Sequence, residues 1–335
     1  LAHTNILGNT LFGSLSGSSV AASVAIGGVL IPMEEKEGYD KKFAAAVNIA
    51  SAPTGLIIPP SGILIIYPVL AGCSVVGMIM SGYIPGLMWA LACMVVAYVI
   101  AKKNHYPTAG KVPASVFFKY FVDAIPSLLL IVIIVGGVMS GIFTATESAA
   151  VAVAYTLFLS IVVYRSIKIK DLPKILLDAC ETTAVIMFLI AGSNVMSFVM
   201  SFTGLPSAIG NALISVSSNK YVILLIINLV LLVVGCFMDI TPAVLIFTPI
   251  FLPVVQSFGM DPIHFGIMMV MNLGIGNITP PVGSALFSGC SVADMDMEDM
   301  IKPILPFYAA IFVALMLVAY VPWFSMALPT LFGAV

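Results

Sequence analysis

Apolar residues run here in stretches longer than a soluble helix needs, and each stretch is cut by a small polar tip, a Gly/Pro cluster or a short charged loop. Residues 1–31 are apolar and small except for a polar centre, Gly13-Ser14-Leu15-Ser16-Gly17-Ser18-Ser19. The arms on either side are about a dozen residues, or ~20 Å at ~1.5 Å per residue, short of a ~30 Å hydrocarbon core. The pattern predicts a re-entrant helical hairpin with its Ser/Gly tip near mid-membrane. The competing reading is a small-residue helix contact from Gly13 to Gly17. A charged loop follows at 33–42, then a helix from about 43 that breaks at 55–62 and resumes to about 71. Residues 82–101 cross back to a loop at 102–119, which carries Lys102, Lys103, Lys111 and Lys119. Helices are expected at about 121–142 and 146–165, then a basic loop at 165–174 and a helix at about 175–200. Residues 203–218 read as an interfacial helix. A second hairpin spans 220–257 with its tip at 235–242, and residues 263–292 cross with a break at 276–283. An acidic loop at 294–302 precedes a last helix at 303–328.

The two breaks are copies of one another. Residues 55–62 read Gly-Leu-Ile-Ile-Pro-Pro-Ser-Gly and residues 276–283 read Gly-Asn-Ile-Thr-Pro-Pro-Val-Gly, 221 positions apart. At the same offset Pro32 falls on Pro253, Gly38 on Gly259 and Asp40 on Asp261, giving eight identities over 31 aligned positions. A fixed offset marks an internal repeat. A Pro-Pro pair flanked by glycines cannot continue a helix, because it removes two amide donors and its rings clash with the preceding turn. In lipid such a break survives only where protein, water or an ion satisfies the freed carbonyls. Paired Gly/Pro-interrupted segments in two halves of a chain are the sequence mark of a secondary transporter's binding site.

Composition agrees with the pattern. Of 335 residues 61% are hydrophobic and only 8% charged, with a mean hydropathy of +1.16, where a soluble domain carries about 25% charged residues. The net charge of −2 gives no sign of a nucleic-acid partner, and none is expected. Cys73, Cys93, Cys180, Cys236 and Cys290 are scattered and read as small buried hydrophobes. The chain opens at Leu1, and the expectation is that further helices precede it. Thr144-Ala145-Thr146-Glu147 reads as a capping box, which makes Glu147 a cap rather than a proton carrier. Asp178 and Glu181, near the start of their helix, are expected to stay wet.

The basic loops at 102–119 and 165–174 flank one helical hairpin and so share a side, which the positive-inside rule makes cytoplasmic. Five crossings then separate residue 40 from residue 261. The odd number predicts inverted repeats, an architecture that supports alternating access. The expected fold is therefore an all-α polytopic membrane protein with two inverted repeats, each a re-entrant hairpin followed by a broken helix. Residues 1–71 and 220–292 form a transport domain; residues 72–174 and 293–335 supply scaffold helices, and 175–219 lead into the second repeat.

This arrangement brings two tips and two breaks together. Half-helix N-termini there suit an anionic solute, and half-helix C-termini and unwound carbonyls suit a bare cation. Hard cations take several oxygens. Gly55, Ile58 and Pro60 offer carbonyls beside Ser14, Ser16 and Gly17, and the second set is Gly276, Thr279 and Pro281 beside Gly235 and Met238. At the offset of 221, Ser14 and Ser18 fall on Gly235 and Asp239. The one ionisable group in the centre is Asp239, so neutral oxygens with a single acid favour Na⁺ over H⁺ as coupling ion. Asp239 either caps the following half-helix or accepts hydrogen bonds from solute hydroxyls. Ser18, Ser19 and Thr241 offer hydroxyls to a solute and Asn277 an amide. His3 and His264 lie outside the tips and read as helix-end residues. No zinc-protease motif, nucleophile elbow or P-loop is present, so the reading is a transporter and not an enzyme.

At residues 13–21, at 52–61 (Ala-Pro-Thr-Gly-Leu-Ile-Ile-Pro-Pro-Ser) and at 276–283, with Glu-Gly-Tyr-Asp at 37–40, the chain resembles the large membrane subunit of TRAP (tripartite ATP-independent periplasmic) transporters. The resemblance implies an elevator-type importer of the ion-transporter superfamily, driven by Na⁺ and carrying an organic acid. It implies a small membrane (Q) subunit, separate or fused ahead of this chain, a periplasmic substrate-binding protein, and a place among the lipids of the bacterial inner membrane. It carries the family's Na⁺ positions to the tip and break residues above, and its substrate positions to Ser18 and Asp239. Gly-Asn-Ile-Thr-Pro-Pro-Val-Gly is closer to sugar-acid members, such as sialic acid transporters, than to C4-dicarboxylate ones. Ile63 and Leu64 depart from the Asn-Thr often found there. A cation/proton antiporter of the same architecture is the competing class.

Overall fold

The computed structural model describes residues 1–107, 114–137, 142–204 and 219–334, with Ala208, Ile209, Ala212 and Ser215. Lys111 and most of the interfacial helix expected at 203–218 lie outside the described residues. All regular structure among the described residues is helical, and seven helical stretches are long and apolar enough to cross a membrane. Two units are separable, one made of residues 1–108 and 197–335 and the other of residues 109–196.

The first hairpin is α1 (Ala2–Ser16) and α2 (Ser19–Lys36), turning at Gly17 and Ser18. Gly17 is left-handed, and the Ser18 hydroxyl accepts from the Ala21 amide at 3.2 Å, an N-cap. Helix α2 continues through Pro32 to Lys36, so Glu34, Glu35 and Lys36 are helical where a loop was expected. The broken helix is α3 (Lys41–Ser51), the single turn α4 (Thr54–Ile57) and α5 (Ile63–Ala71). The first segment ends four residues before the Gly55 of the repeated motif, because Pro53 has no amide with which to continue the ladder. Next come α6 (Val75–Ser81), capped by Ser74, and α7 (Tyr83–Lys103). The crossing expected from residue 82 therefore begins at Val75.

The unit of residues 109–196 holds α8 (Ala114–Ile131), which continues as a π-helix over Val132–Gly136, and α9 (Ala145–Phe158), with a π-helical end at Leu159–Val163. The capping box forms: the Thr144 hydroxyl accepts from the Glu147 amide, and the Glu147 carboxylate accepts from the Thr144 amide at 2.9 Å. Helix α10 (Leu172–Thr203) starts here, and its Asp178 and Glu181 are exposed, as is Cys180. Cys180 thus departs from the expected burial of the cysteines, whereas Cys93 and Cys290 are buried.

The second hairpin is α11 (Lys220–Phe237) and α12 (Ile240–Ser257). The second broken helix is α13 (Pro262–Asn277) and α14 (Ser284–Val292). Asp40 caps α3 through the Phe43 amide (3.0 Å) and Asp261 caps α13 through the Ile263 amide (2.7 Å), so the offset of 221 holds at atomic level. Gly38 and Gly259 precede them with φ of +88° and +77°, a conformation in which a side chain would clash. Both Pro-Pro bonds are cis. Helix α15 (Met297–Tyr320) begins inside the stretch expected as an acidic loop. Glu298 and Asp299 occupy its first turn, where carboxylates suit the helix dipole. It ends at Tyr320, because Val321 before Pro322 is extended, and α16 (Trp323–Leu331) follows.

Helices α3 and α13 are buried on every side from Phe43 to Ser51 and from Ile263 to Asn277. Each hairpin's first arm crosses its own broken helix at a pair of glycines. A Cβ on Gly13 would stand 2.6 Å from the Gly55 Cα, and one on Gly276 would stand 2.5 Å from the Gly235 Cα. The structural partner of Gly235 is therefore Gly13, one residue from the Ser14 that the sequence offset gave. Buried amides accompany both crossings. Asn9 Nδ2 donates to Asn48 Oδ1 (2.9 Å) and Ser51 Oγ (3.0 Å), and Asn272 Nδ2 donates to Asn228 Oδ1 (2.7 Å). The second arms pack crosswise: α2 lies on α14 and α12 lies on α5. Each hairpin thus clasps its own break and the half-helix after the other one.

Two outcomes are expected. Gly276→Ala overpacks a backbone contact and should cost about 1–3 kcal/mol, read as a lower thermal midpoint in detergent, while Gly28→Ala, 3.8 Å from the nearest side-chain atom, should leave it unchanged. The second concerns Glu34, fully buried at the end of α2, with both carboxylate oxygens unpartnered. Burial pushes its carboxyl up to about 7, and Asn5 opposes the shift without completing a hydrogen bond. The folded state then holds a proton that the unfolded state releases, so stability should fall as pH rises from about 4.5 to about 7. Glu34→Gln should flatten that dependence in pH-series thermal unfolding; an equal slope in both proteins would contradict the assignment.

Candidate functional site

The glycine crossings and crosswise packing bring the tips and breaks together within the unit of residues 1–108 and 197–335. At the first tip, Gly17 lies against the break: a Cβ there would be 3.3 Å from the Gly62 amide nitrogen and 4.0 Å from the Pro60 carbonyl oxygen. Ser16 is exposed and its hydroxyl lies 3.4 Å from the Ser18 carbonyl. Ser14 is buried one turn below, donating to the Leu11 carbonyl at 2.8 Å. Ile58 is extended, and among the described residues nothing donates to the carbonyls of Ile58, Pro59 or Pro60. Beside them the Ser61 hydroxyl is buried without a partner. Free carbonyls and an orphaned hydroxyl within four consecutive residues are hard oxygen donors of the kind that a bare cation takes.

The second tip is built differently. Asp239 occupies the N-cap position of α12, but its carboxylate makes no capping bond. It is exposed and accepts from the Ser284 hydroxyl at 3.3 Å. Of its two expected roles, the cap is not taken and the carboxylate remains open to a donor. Ser18 is the reverse: its oxygen already caps α2. The Cys236 carbonyl accepts from the Val282 and Gly283 amides at 3.2 and 3.4 Å, which fastens this tip to its break. Met238 is extended between the arms, and Thr241 lies half-buried in the first turn of α12. Thr279 donates to the Ile275 carbonyl at 2.6 Å, and Tyr308 of α15 donates to the Ile278 carbonyl. Nothing among the described residues donates to the Pro280 or Pro281 carbonyl.

Asn277 joins the two halves. Its Nδ2 donates to Ser19 Oγ at 2.7 Å, and its Oδ1 accepts from the Ser284 hydroxyl and from the Ala285 amide at 3.2 Å. Polar side chains thus line up as Ser19–Asn277–Ser284–Asp239 from the first hairpin through the second break to the second tip, with Asn277 and Asp239 competing for the single Ser284 proton and Asn277 the nearer acceptor. Sequence reasoning missed Ser284, Ser61 and Tyr308. At the offset of 221 Ser284 falls on Ile63, so the repeat itself drew attention away from it. Ser61 stands inside the repeated Gly/Pro motif, where nothing in the sequence distinguishes it from a turn serine. Among the described residues no cluster of three His, Cys, Asp or Glu side chains stands elsewhere as a rival centre.

Comparison with known proteins supplies the family. Residues 1–324 match the DctM component of the tripartite ATP-independent periplasmic transporter. The chain belongs to that family. It is 51% identical over 334 residues to the uncharacterized protein YgiK of Salmonella typhimurium, covering 99% of this chain and 77% of that protein. It is 38% identical to the sialic acid TRAP transporter large permease SiaM of Vibrio cholerae, and 37% identical to the C4-dicarboxylate large permease DctM of Pseudomonas aeruginosa. Each of those alignments covers 99% of this chain and 78% of the relative. The chain is a TRAP large membrane subunit, a multi-pass permease in a family of transporters rather than enzymes.

In this permease Asn277→Ala removes three hydrogen bonds at once. It should cost about 1–3 kcal/mol in detergent thermal unfolding. Ser19→Ala alone should cost less, and adding it to Asn277→Ala should cost almost nothing further, since the two residues share one bond. Strict additivity would show that the Ser19–Asn277 contact does not bear on stability.

Proposed function

We propose that this permease drives uptake of a carboxylate-bearing solute, a sugar acid such as sialic acid, down an inward Na⁺ gradient. The observation that carries the reading is an uncapped acid at one tip, joined through Ser284 and Asn277 to the other tip, whose own break keeps free carbonyls. Na⁺ is cargo here. The Ile58 and Pro60 carbonyls, Ser61, and the Ser16 and Gly17 tip would take one ion, with Ser14 one turn below and Gly55 fixing the backbone approach. Gly235, Met238, Gly276, Thr279 and Pro281 would form the second set. The solute would lie between the tips, with Asp239 accepting from its hydroxyls and Ser18, Ser19, Thr241 and Asn277 as polar neighbours. With solute bound, the Ser284 hydroxyl would turn from Asn277 to Asp239 and hold its carboxylate in orientation.

The motion we propose is an elevator. The hairpins and broken helices would slide as one body against scaffold helices, because tips and breaks are clasped to each other in both halves. Five crossings between the repeats give them opposite orientation, which supports an outward and an inward form of equal construction. A periplasmic binding protein and a small membrane subunit, separate or fused, would complete the tripartite assembly in the bacterial inner membrane. A C4-dicarboxylate solute is the second reading, favoured by the near-equal identity to SiaM and DctM.

The test is labelled sialic acid uptake into proteoliposomes holding the whole membrane complex, with and without an inward Na⁺ gradient and the binding protein. Uptake should require both. Asp239→Ala should lower it at least tenfold and Ser18→Ala severalfold, with assembly unchanged by size-exclusion profile. Near-normal uptake by both variants would sink the site assignment. Uptake of succinate in place of sialic acid, under the same dependence, would move the solute to the dicarboxylate class.

A further inference from the structure

The two repeats differ at the corner that leads into each broken helix. In the first, Tyr39 and Phe43 pack with Tyr106 of the segment after α7, with ring centroids 6.4, 4.7 and 5.3 Å apart. The Tyr39 hydroxyl donates to the Pro107 carbonyl at 2.9 Å, so three rings fill the corner. At the offset of 221 Tyr39 and Phe43 become Met260 and His264. The His264 ring is drawn into the core, 2.5 Å from the Ser325 hydroxyl and 3.2 Å from the Ala319 carbonyl. A cavity of about 240 Å³ remains between the starts of α11 and α13 and the end of α15. Its lining includes Lys220, Asp261, Tyr221 and Tyr320, with Leu224 and Val255 as an apolar floor.

Three features narrow what belongs there. First, the cavity presents one cation and one anion. Lys220 Nζ rests 5.2 Å from the centre of the Tyr221 ring and forms no ion pair among the described residues, and the Asp261 carboxylate is half-buried. A simple anion would face Asp261 and a simple cation would face Lys220, whereas a zwitterion satisfies both. Second, one candidate membrane span begins at Lys220 and another ends at Tyr320, so the cavity lies at the edge of the hydrocarbon. Tyr221, Tyr320 and the exposed Trp323 are residues suited to that level. Third, Tyr221, Leu225 and Leu229 are spaced four residues apart and all exposed, making an apolar stripe along α11 that starts at the cavity.

We infer that this corner is a phospholipid site for an amine-bearing zwitterionic headgroup. The phosphate pairs with Lys220, the ammonium pairs with Asp261, and an acyl chain lies on the Leu225–Leu229 stripe. The volume of about 240 Å³ equals that of roughly eight waters, and phosphoethanolamine has about that many non-hydrogen atoms. The stripe selects the lipid over the free headgroup. In the first repeat the equivalent corner is filled by the three rings of Tyr39, Phe43 and Tyr106.

The experiment is native mass spectrometry of the purified full chain titrated with phosphatidylethanolamine or phosphatidylglycerol of equal chain length, with soluble phosphoethanolamine as a third arm. Phosphatidylethanolamine should be retained at least fivefold better than phosphatidylglycerol. Lys220→Gln should lower retention of both lipids, and Lys220→Arg should restore it. Asp261→Asn keeps an acceptor for the Ile263 amide, and should erase the preference for the amine headgroup without lowering the thermal midpoint. Equal retention by the wild type and both charge variants would overturn the site. Binding of phosphoethanolamine as tight as that of the lipid would overturn its assignment to lipid.

Discussion

Everything at the centre of this permease depends on two places where backbone meets backbone. Gly13 against Gly55 and Gly235 against Gly276 leave no space for a methyl group between helices. In hydrocarbon, apolar surface gains nothing by leaving lipid for protein, so association rests on close packing and interhelical hydrogen bonds. The glycines supply the first and the Asn9–Asn48 and Asn228–Asn272 bonds supply the second. A hairpin held this close keeps its tip beside a helix break. The break can then remain unwound, because protein surrounds its freed carbonyls. Helix α7 reinforces the first break: Gly82 and Gly86 approach Ile57 and Ile58 so closely that neither tolerates a Cβ.

The same scaffold carries two unlike tips. Ser18 closes the first by capping α2, and Asp239 leaves the second uncapped. Symmetric framework and asymmetric chemistry are compatible because the crossings fix where backbone goes and leave the tip side chains free to differ. Asn277 then ties the halves together at the level of side chains, touching Ser19 on one side and Ser284 on the other. A centre held in this way has few independent parts, which suits motion as a body.

Much of this was legible in the sequence. Gly-x-Ile-x-Pro-Pro-x-Gly marks a break wherever it stands, since a Pro-Pro pair between glycines has no helical solution. The polar tips stood out against apolar arms, and the repeat paired Asp40 with Asp261, although their role as helix caps appears only in the structure. Other features had no local signal. Glu34 looked like loop because it sits among Glu35, Lys36 and Glu37, yet the helix runs on and buries it. The acidic start of α15 looked like loop for the same reason, although carboxylates in a first turn favour a helix. Ser284 acquires its role only when folding lays it between Asp239 and Asn277. The one-residue slip between Ser14 and Gly13 arose because a sequence offset counts residues, whereas a crossing depends on which glycines face each other.

The central claim is that hairpin one meets break two. It is tested most directly by pairing Ser19→Cys with Asn277→Cys in a background lacking the five native cysteines, and oxidising in native membranes with a membrane-permeant catalyst. The side chains are 2.7 Å apart across 258 positions of sequence. The account predicts a disulfide-linked peptide pair by mass spectrometry in most of the protein, absent when Ser19→Cys is paired with a cysteine at Leu229. Failure to link, with both single cysteines present in folded protein, would contradict the meeting of the two halves.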